Sequence, residues 1–156
     1  MKKKYEIRSK YFNELNINEL YEIAKARYEV FACEQEITCE NDFDDKDKKC
    51  IHLFAIDNGD GFEKVVGYCR LLPPGLSYED ASIGRVLVLK EYRGKGLAKE
   101  MMLRAIDEIE KNYKVNNISL SAQSYIKELY KSVGFKEVST EYEEAGIPHV
   151  KMKLGI

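Results

Sequence analysis

The chain has 156 residues, of which 44 % are hydrophobic and 33 % charged, and we expect residues 1–156 to form a single globular domain. The formal net charge of −2 argues against a nucleic-acid partner, because general nucleic-acid binders are usually basic. No run approaches the roughly 20 apolar residues that span a bilayer, and no apolar stretch follows the basic start, so we expect a cytoplasmic protein without a membrane partner.

The N-terminal part of the sequence predicts a short strand and then an amphipathic helix. The strand covers residues 5–8, and Asn16 and Glu19 have the spacing of a capping box. Apolar residues at 17, 20, 21, 24, 28 and 31 predict the buried face of the helix. An acidic segment follows at residues 40–47. We favour a solvated loop for it, and the alternative is a loop at a substrate entrance that attracts cationic amines.

The remaining elements predict a mixed α/β (α+β) sheet flanked by helices. Residues 52–57 and 65–72 form a hairpin around Asn58-Gly59-Asp60-Gly61. An apolar run at 83–89 predicts the next strand, and a helix with apolar residues from 98 to 109 follows it. The C-terminal part predicts a strand at 118–122, a helix from Ser124 to Gly134, and strands at 135–140 and 149–154.

The loop between the strand at 83–89 and the following helix is the most informative stretch, and it reads Glu91-Tyr92-Arg93-Gly94-Lys95-Gly96-Leu97-Ala98. Its glycines allow the backbone to approach a ligand closely. The first turn of the helix offers free N–H groups at a positive dipole end, which favours a phosphate site. A Walker A loop fails because Gly96 follows Lys95, and the dinucleotide fingerprint fails because position 99 is Lys.

The cysteines predict no metal site. No Cys-x-x-Cys pair occurs among Cys33, Cys39, Cys50 and Cys69. A zinc site from Cys39, Cys50 and His52 is the alternative, but its spacing matches no common zinc pattern. We therefore expect reduced, inert thiols and no metal.

The loop motif Arg93-x-x-Gly96-x-Ala98 resembles the acyl-CoA loop of the Gcn5-related N-acetyltransferases, the GNAT superfamily. A second motif, Tyr130-x-x-x-Gly134-Phe135, resembles the segment whose tyrosine stands near the coenzyme sulfur in this superfamily. Four further stretches resemble the ElaA-like bacterial subgroup, namely residues 27–35, 83–86, 121–123 and 142–149. The last of these, with Gly-Ile-Pro-His, is the most specific.

The resemblance implies the GNAT fold, in which a mixed, mostly antiparallel central sheet is splayed at the acetyl-CoA cleft. Backbone groups of Val86 and Val88 would pair with the pantetheine arm of this cosubstrate. The amides of Gly94, Lys95, Gly96, Leu97 and Ala98 would hold its pyrophosphate, helped by the side chains of Arg93 and Lys95. Gln123 stands where many relatives use Asn to bind the pantetheine.

The resemblance also implies an N-acetyltransferase in which a primary amine attacks the thioester directly, through a tetrahedral intermediate. Tyr130 would protonate the leaving thiolate, and a backbone N–H such as that of Val88 would stabilise the oxyanion. The general base stays open between His149 and Glu34. Glu34 and Arg85 are also candidate substrate-binding residues, and Arg85 either binds an acidic group of the substrate or forms a structural ion pair.

The acceptor would be a small-molecule or peptide amine, and homodimers are frequent among similar proteins. The main alternative is a non-catalytic acyl-CoA-binding or sensing module of the same fold. A protein-interaction domain without a ligand is a second alternative, and the intact loop from Arg93 to Ala98 speaks against it.

Overall fold

The computed structural model describes residues 5–59 and 61–156. Its strands are β1 (Glu6–Tyr11), β2 (Ile51–Asp57), β3 (Lys64–Leu72), β4 (Ala81–Val88), β5 (Asn117–Gln123), β6 (Lys136–Glu137), β7 (Tyr142–Glu144) and β8 (Ile147–Gly155). Its α-helices are α1 (Ile17–Arg27), α2 (Leu97–Tyr113) and α3 (Lys127–Ser132), and a π-helical segment, Tyr28–Glu34, continues α1. None of the helices in these described ranges is long and apolar enough to cross a membrane.

The strands form one sheet in the order β1-β2-β3-β4-β5-β8-β6, with β7 paired to β8. Every pairing is antiparallel except that of β4 with β5, which is parallel. The predicted mixed, mostly antiparallel sheet is therefore confirmed. The predicted hairpin of residues 52–57 and 65–72 is present as β2 and β3.

Helix α1 begins at the predicted capping box, but the predicted buried face is wrong. The Asn16 side chain accepts from the Glu19 N–H at 2.8 Å, and Glu19 accepts from the Asn16 N–H at 2.9 Å. Ile17 is nevertheless 84 % exposed, whereas Ile23 and the Glu19 side chain are buried. The reason is that β1 places two cations, Arg8 and Lys10, next to the helix. The carboxylate of Glu19 pairs with both of them and therefore faces the sheet.

Helix α2 packs closely on β3, which fixes the loop at its N-terminus. The buried residues of the helix are Leu97, Met101, Met102, Ala105 and Ile109, and each of the four larger side chains contributes about 1.5–3 kcal/mol through burial. A Cβ placed on Gly67 of β3 would lie 2.5 Å from the sulfur of Met101. A side chain at this position would force Met101 to shift, so glycine favours the close approach of helix and strand.

The C-terminal third differs in detail from the prediction. The predicted strand at 135–140 pairs only as Lys136–Glu137 within the described residues, and β7 was not predicted. Ser124 does not cap a helix, since it begins a short 3-10 turn and α3 starts at Lys127. Gly134 does end the helix as predicted, with a φ of 105° and a hydrogen bond from its N–H to Lys131 O.

Candidate functional site

A cleft of about 760 Å³ opens beside β4 on the side of β5. In the described part of the chain these two strands pair at only two positions, Ala81 with Ile118 and Ser82 with Ser119. Beyond Ser82 the strands diverge, so the edge of β4 from Ile83 to Val88 borders a gap. An unpaired strand edge of this kind can bind an extended ligand as an added strand.

A β-bulge in β4 shapes the floor of the cleft. The register moves from Tyr68 opposite Leu87 to Arg70 opposite Gly84, so that two residues of β4, Arg85 and Val86, occupy the place of one. Arg85 has a φ of 53°, a left-handed conformation that is strained for a residue with a side chain. Bulges re-aim side chains, and both Arg85 and Val86 line the cleft.

The glycine loop at the start of α2 has the geometry that a phosphate requires. Gly94 and Gly96 have φ values of 78° and 83°, and no atom lies within 4 Å of the position that a Cβ would take on either. Gly96 is the N-cap and brings no side chain to the first-turn amides of the helix. These amides are therefore left for a ligand at the positive end of the helix.

The side chain of Arg93 ties this loop to its surroundings. Its Nε donates to the Val88 carbonyl at 2.8 Å, and its two Nη groups donate to the Glu34 carboxylate at 2.6 and 2.8 Å. The hydrogen bond from Arg93 holds the pKa of Glu34 below its usual range. The paired Glu34 is a poor proton acceptor, and Arg93 supports the loop rather than pointing a free guanidinium at a phosphate.

Val88 and Gln123 face the same gap between the strands. Because the Val88 carbonyl accepts from Arg93, the backbone groups of Val88 lie on the edge away from β3. Gln123 at the end of β5 exchanges two amide hydrogen bonds with Gln35, at 3.0 and 3.2 Å. If Gln123 also bound a pantetheine, as predicted, its side-chain amide would contact both the pantetheine and Gln35.

Tyr130 lies on α3 against the cleft. It is 4 % exposed, packs edge-on against Phe135 at 6.1 Å between ring centroids, and lines the cleft. Burial raises the pKa of its phenol well above the ordinary value. The hydroxyl therefore stays protonated at neutral pH, as a proton donor must.

His149 lies on β8 at the opposite wall and is also buried. Its Nδ1 is 2.7 Å from the Ile147 carbonyl, which only accepts, so Nδ1 is the donor in this contact. Nε2 is 3.4 Å from Glu144, and the ring stacks on Tyr142. The turn that positions this pair, Ala145-Gly146, has positive φ at both residues, as a tight hairpin requires.

The acidic segment forms an ion-pair network at the wall of the cleft, so the favoured interpretation as a solvated loop is wrong. Asp47 accepts from Arg27 at 2.8 Å and from Arg70 at 3.0 Å. Asp44 pairs with Arg70 at 2.6 Å, and Asp42 pairs with both Arg27 and Arg85 at 2.9 Å. These bonds hold the segment on the wall of the cleft.

The structure brings Cys50 and His52 together with Asp47, while Cys39 is exposed elsewhere. Both ring nitrogens of His52 are bonded, Nδ1 to the Tyr68 hydroxyl at 2.6 Å and Nε2 to the Asp47 carbonyl at 2.7 Å. Burial raises the pKa of the Cys50 thiol to about 12. A metal ion needs a free histidine lone pair and a thiolate, so these contacts disfavour one here.

The sequence interpretation missed the arginine partners and one wall of the cleft. Arg27 and Arg70 had no assigned role, although a charged residue within the apolar run of β3 is a signal of a buried pair. Tyr78, Ser121 and Glu144 also line the cleft. Ser121 and Glu144 lie in two of the stretches singled out in the sequence, but no role was assigned to them, because these residues and Tyr78 come from two strands and a loop that only the sheet brings together.

Three comparisons identify similar proteins. The family model described as an acetyltransferase (GNAT) domain matches residues 21–156. A UPF0039 protein of Schizosaccharomyces pombe is 40 % identical over 146 residues, which are 93 % of each chain. Protein ElaA of Escherichia coli is 30 % identical over 141 residues, 90 % of each chain.

Two solved structures match nearly the whole chain. The crystal structure of Escherichia coli ElaA has a TM-score of 0.87 and 28 % identity, covering 97 % of this chain and 99 % of that one. An acyl-CoA N-acyltransferase from Pseudomonas aeruginosa has a TM-score of 0.86 and 30 % identity, covering 97 % and 100 %. These likenesses confirm the predicted fold, including its splayed central sheet.

Proposed function

Because the chain belongs to the GNAT acetyltransferase family, with the predicted similarity to ElaA, we propose that it transfers an acetyl group from acetyl-CoA to a primary amine. Residues 1–156 would form one acetyltransferase domain. A single observation carries the proposal: the free edge of β4 leads to the uncapped amides of α2, and Tyr130 and His149 line the same cleft.

The acetyl-CoA site has two parts. The amides from Gly94 to Ala98 would bind the pyrophosphate, and this role fits the open face of the glycines. Backbone groups of Val86 and Val88 would bind the pantetheine arm along the free edge of β4. The side chain of Arg93, held by Glu34, links the loop to the end of β4, and Lys95 would supply a further cation nearby.

His149 and Tyr130 supply the proton transfers. A primary amine is mostly protonated at neutral pH, since a lysine-like amine has a pKa of about 10.4. His149 Nε2 would accept the amine proton, either directly or through a water molecule. We prefer it to Glu34, whose carboxylate is bound by Arg93.

The reaction balances with these two residues. The amine nitrogen forms a bond with the acetyl carbonyl carbon, and the bond between that carbon and sulfur breaks. The Val88 N–H would donate to the carbonyl oxygen as negative charge develops on it. The ammonium first loses one proton to solvent, and the attacking nitrogen gives a second proton to His149. The Tyr130 hydroxyl gives its proton to the departing sulfur, and the proton on His149 returns to the phenolate through solvent.

A coenzyme-release assay tests the proposal. The purified protein is incubated with acetyl-CoA and a panel of primary amines, and free thiol is measured with a chromogenic disulfide. We expect thiol release that depends on both the amine and the protein. A protein that binds acetyl-CoA but releases no thiol with any amine would contradict the proposal and support a non-catalytic acyl-CoA-binding module.

A further inference from the structure

We propose that the acceptor is an amino acid whose carboxylate is held by Lys46 and Arg85 and whose amine lies toward Glu144 and His149. This inference rests on the proposed function and names the acceptor class of that same cleft. Two walls of the cleft support this inference: one presents the cations Lys46 and Arg85, and the other presents the carboxylate of Glu144 beside His149.

The side chain of Arg85 lines the cleft, and some of its N–H donors have no partner among the described residues. The bulge at Arg85 turns its side chain toward Asp42, which its Nε meets at 2.9 Å. The contacts found for it within residues 5–59 and 61–156 use Nε and Nη2. A guanidinium has five N–H donors, so the Nη1 group is left for a ligand oxygen. The side chain is 28 % exposed, which leaves it accessible from the cleft.

Arg70 adds a buried donor behind Arg85. It is 4 % exposed, and its Nε has no hydrogen-bond partner among the described residues. Buried charged N–H groups almost always have an acceptor. Arg70 Nε lies 3.9 Å from the position that a Cβ would take on Gly84, and both residues line the cleft. This donor therefore lies beside Gly84, beneath the surface of the cleft.

Lys46 is a cation that the ion-pair network does not neutralise. Its Nζ donates to the Ser77 hydroxyl at 2.8 Å, and no carboxylate of the described residues pairs with it. The nearby Asp42, Asp44 and Asp47 are already bound by arginines. A half-buried ammonium with a neutral partner, at the edge of the cleft, is suited to bind an anionic group.

The opposite wall has the chemistry of an amine site. Glu144 is half-exposed and lies 3.4 Å from both His149 Nε2 and the Ser121 hydroxyl. The Tyr142 hydroxyl bonds to Ser121. Tyr78 lines the same cleft, and the Lys151 ammonium lies 4.9 Å from the centre of its ring. The carboxylate of Glu144 attracts an ammonium electrostatically and places it beside His149.

The acceptor needs an anionic group as well as an amine. Ser77, the partner of Lys46, and Tyr78 are consecutive residues of the loop between β3 and β4, and both line the cleft. An amino acid carries both groups, whereas a diamine has no anionic group for Lys46 and Arg85.

Matched acceptors test the inference. ω-Amino acids with three to six carbons are compared with unsubstituted alkylamines of the same lengths, because the two series share an alkyl amine and differ in the carboxylate. The readout is the ratio of kcat/KM between the two series. In the wild-type protein we expect the ratio to favour the amino acids by about 10- to 100-fold, the size of one charge-assisted hydrogen-bonded contact.

Lys46→Gln and Arg85→Gln should each lower this ratio by about 10-fold or more. The Lys46→Gln variant keeps the test interpretable if Arg85→Gln fails to fold. Lys46 has a single hydroxyl partner, and the loss of that contact should leave the fold intact. Arg104→Gln is the matched control, since Arg104 is an exposed residue of α2 paired with Glu108, and the ratio should not change.

The outcomes separate this inference from the proposed function. Turnover of alkylamines as good as that of amino acids, with a ratio that neither variant changes, would overturn the inference and leave the acetyltransferase standing. An absence of turnover with both series and with every other amine of the panel, although acetyl-CoA binds, would overturn both. A preference for amino acids that collapses in Lys46→Gln and Arg85→Gln supports both.

Discussion

Asp47→Asn is the substitution that tests the ion-pair network most sharply. It keeps the shape of the side chain and removes one negative charge between two buried cations. Asp47 Oδ1 accepts from Arg27 and Arg70 at 2.8 and 3.0 Å, and the two guanidinium side chains are 1 % and 5 % exposed. The amide of Asn presents either an oxygen or an NH₂ group there, and neither neutralises an arginine.

The expected loss of stability is large. Removing one partner of a buried pair typically costs 3–5 kcal/mol, and we expect about 3 kcal/mol because Asp42 and Asp44 still pair with the two arginines. This is a substantial part of the roughly 5–15 kcal/mol that stabilises a domain. With about 2–4 °C lost per kcal/mol at this chain length, the melting temperature should fall by about 6–12 °C.

Urea unfolding followed by circular dichroism measures the effect. Asp45→Asn is the matched control, because Asp45 lies on the same segment, has a 92 % exposed side chain and meets only Lys48, at 3.7 Å, among the ion pairs of the described residues. Exposed pairs contribute little, so the control should lose less than about 0.5 kcal/mol. Equal losses in the two variants would refute the network as a stabilising feature.

The pH dependence gives an independent check. Burial alone would raise the pKa of Asp47, but the hydrogen bonds and charges of Arg27 and Arg70 outweigh it and hold the pKa below the usual value. The folded state then binds fewer protons than the unfolded state. The stability from Asp47 is present above about pH 4 and is lost as the pH falls through its lowered pKa. Asp47→Asn should therefore show a shallower loss of stability in acid than the wild-type protein.

Three further substitutions test the proposed site. Tyr130→Phe should lower kcat about 100-fold with little change in acetyl-CoA affinity, while Tyr21→Phe on the exposed face of α1 should change neither. Gly96→Glu should abolish acetyl-CoA binding in a titration, because a side chain at φ 83° would place negative charge at the proposed phosphate site, and normal affinity would rule that site out. His149→Gln should lower kcat more than Glu34→Gln does, and the reverse order would contradict His149 as the base.

Features encoded by short-range patterns were predictable from the sequence. The capping box at Asn16, the hairpin of β2 and β3, and the loop before α2 each depend on neighbouring residues whose chemistry fixes a local conformation. The likeness to GNAT proteins follows from two such local motifs in the right order. The same locality explains why the end of α3 at Gly134 was predicted correctly.

Features that depend on distant partners were not predictable. The buried face of α1 could not be read from its apolar residues, because two cations of β1 draw the charged Glu19 toward the sheet. The acidic segment looked solvated because its partners, Arg27, Arg70 and Arg85, come from a helix and two strands far along the chain. Glu34 looked like a free carboxylate for the same reason, since Arg93 is distant in sequence.

Calorimetric titration with acetyl-CoA tests the central claim most directly, with ATP and NAD as controls at the same concentrations. We predict saturable binding of acetyl-CoA at one site and much weaker binding of the two nucleotides, because only acetyl-CoA can occupy both the α2 amides and the free edge of β4. A folded sample, verified by its circular dichroism and melting curve, that binds no acetyl-CoA would contradict the proposed cleft and the acetyltransferase built on it.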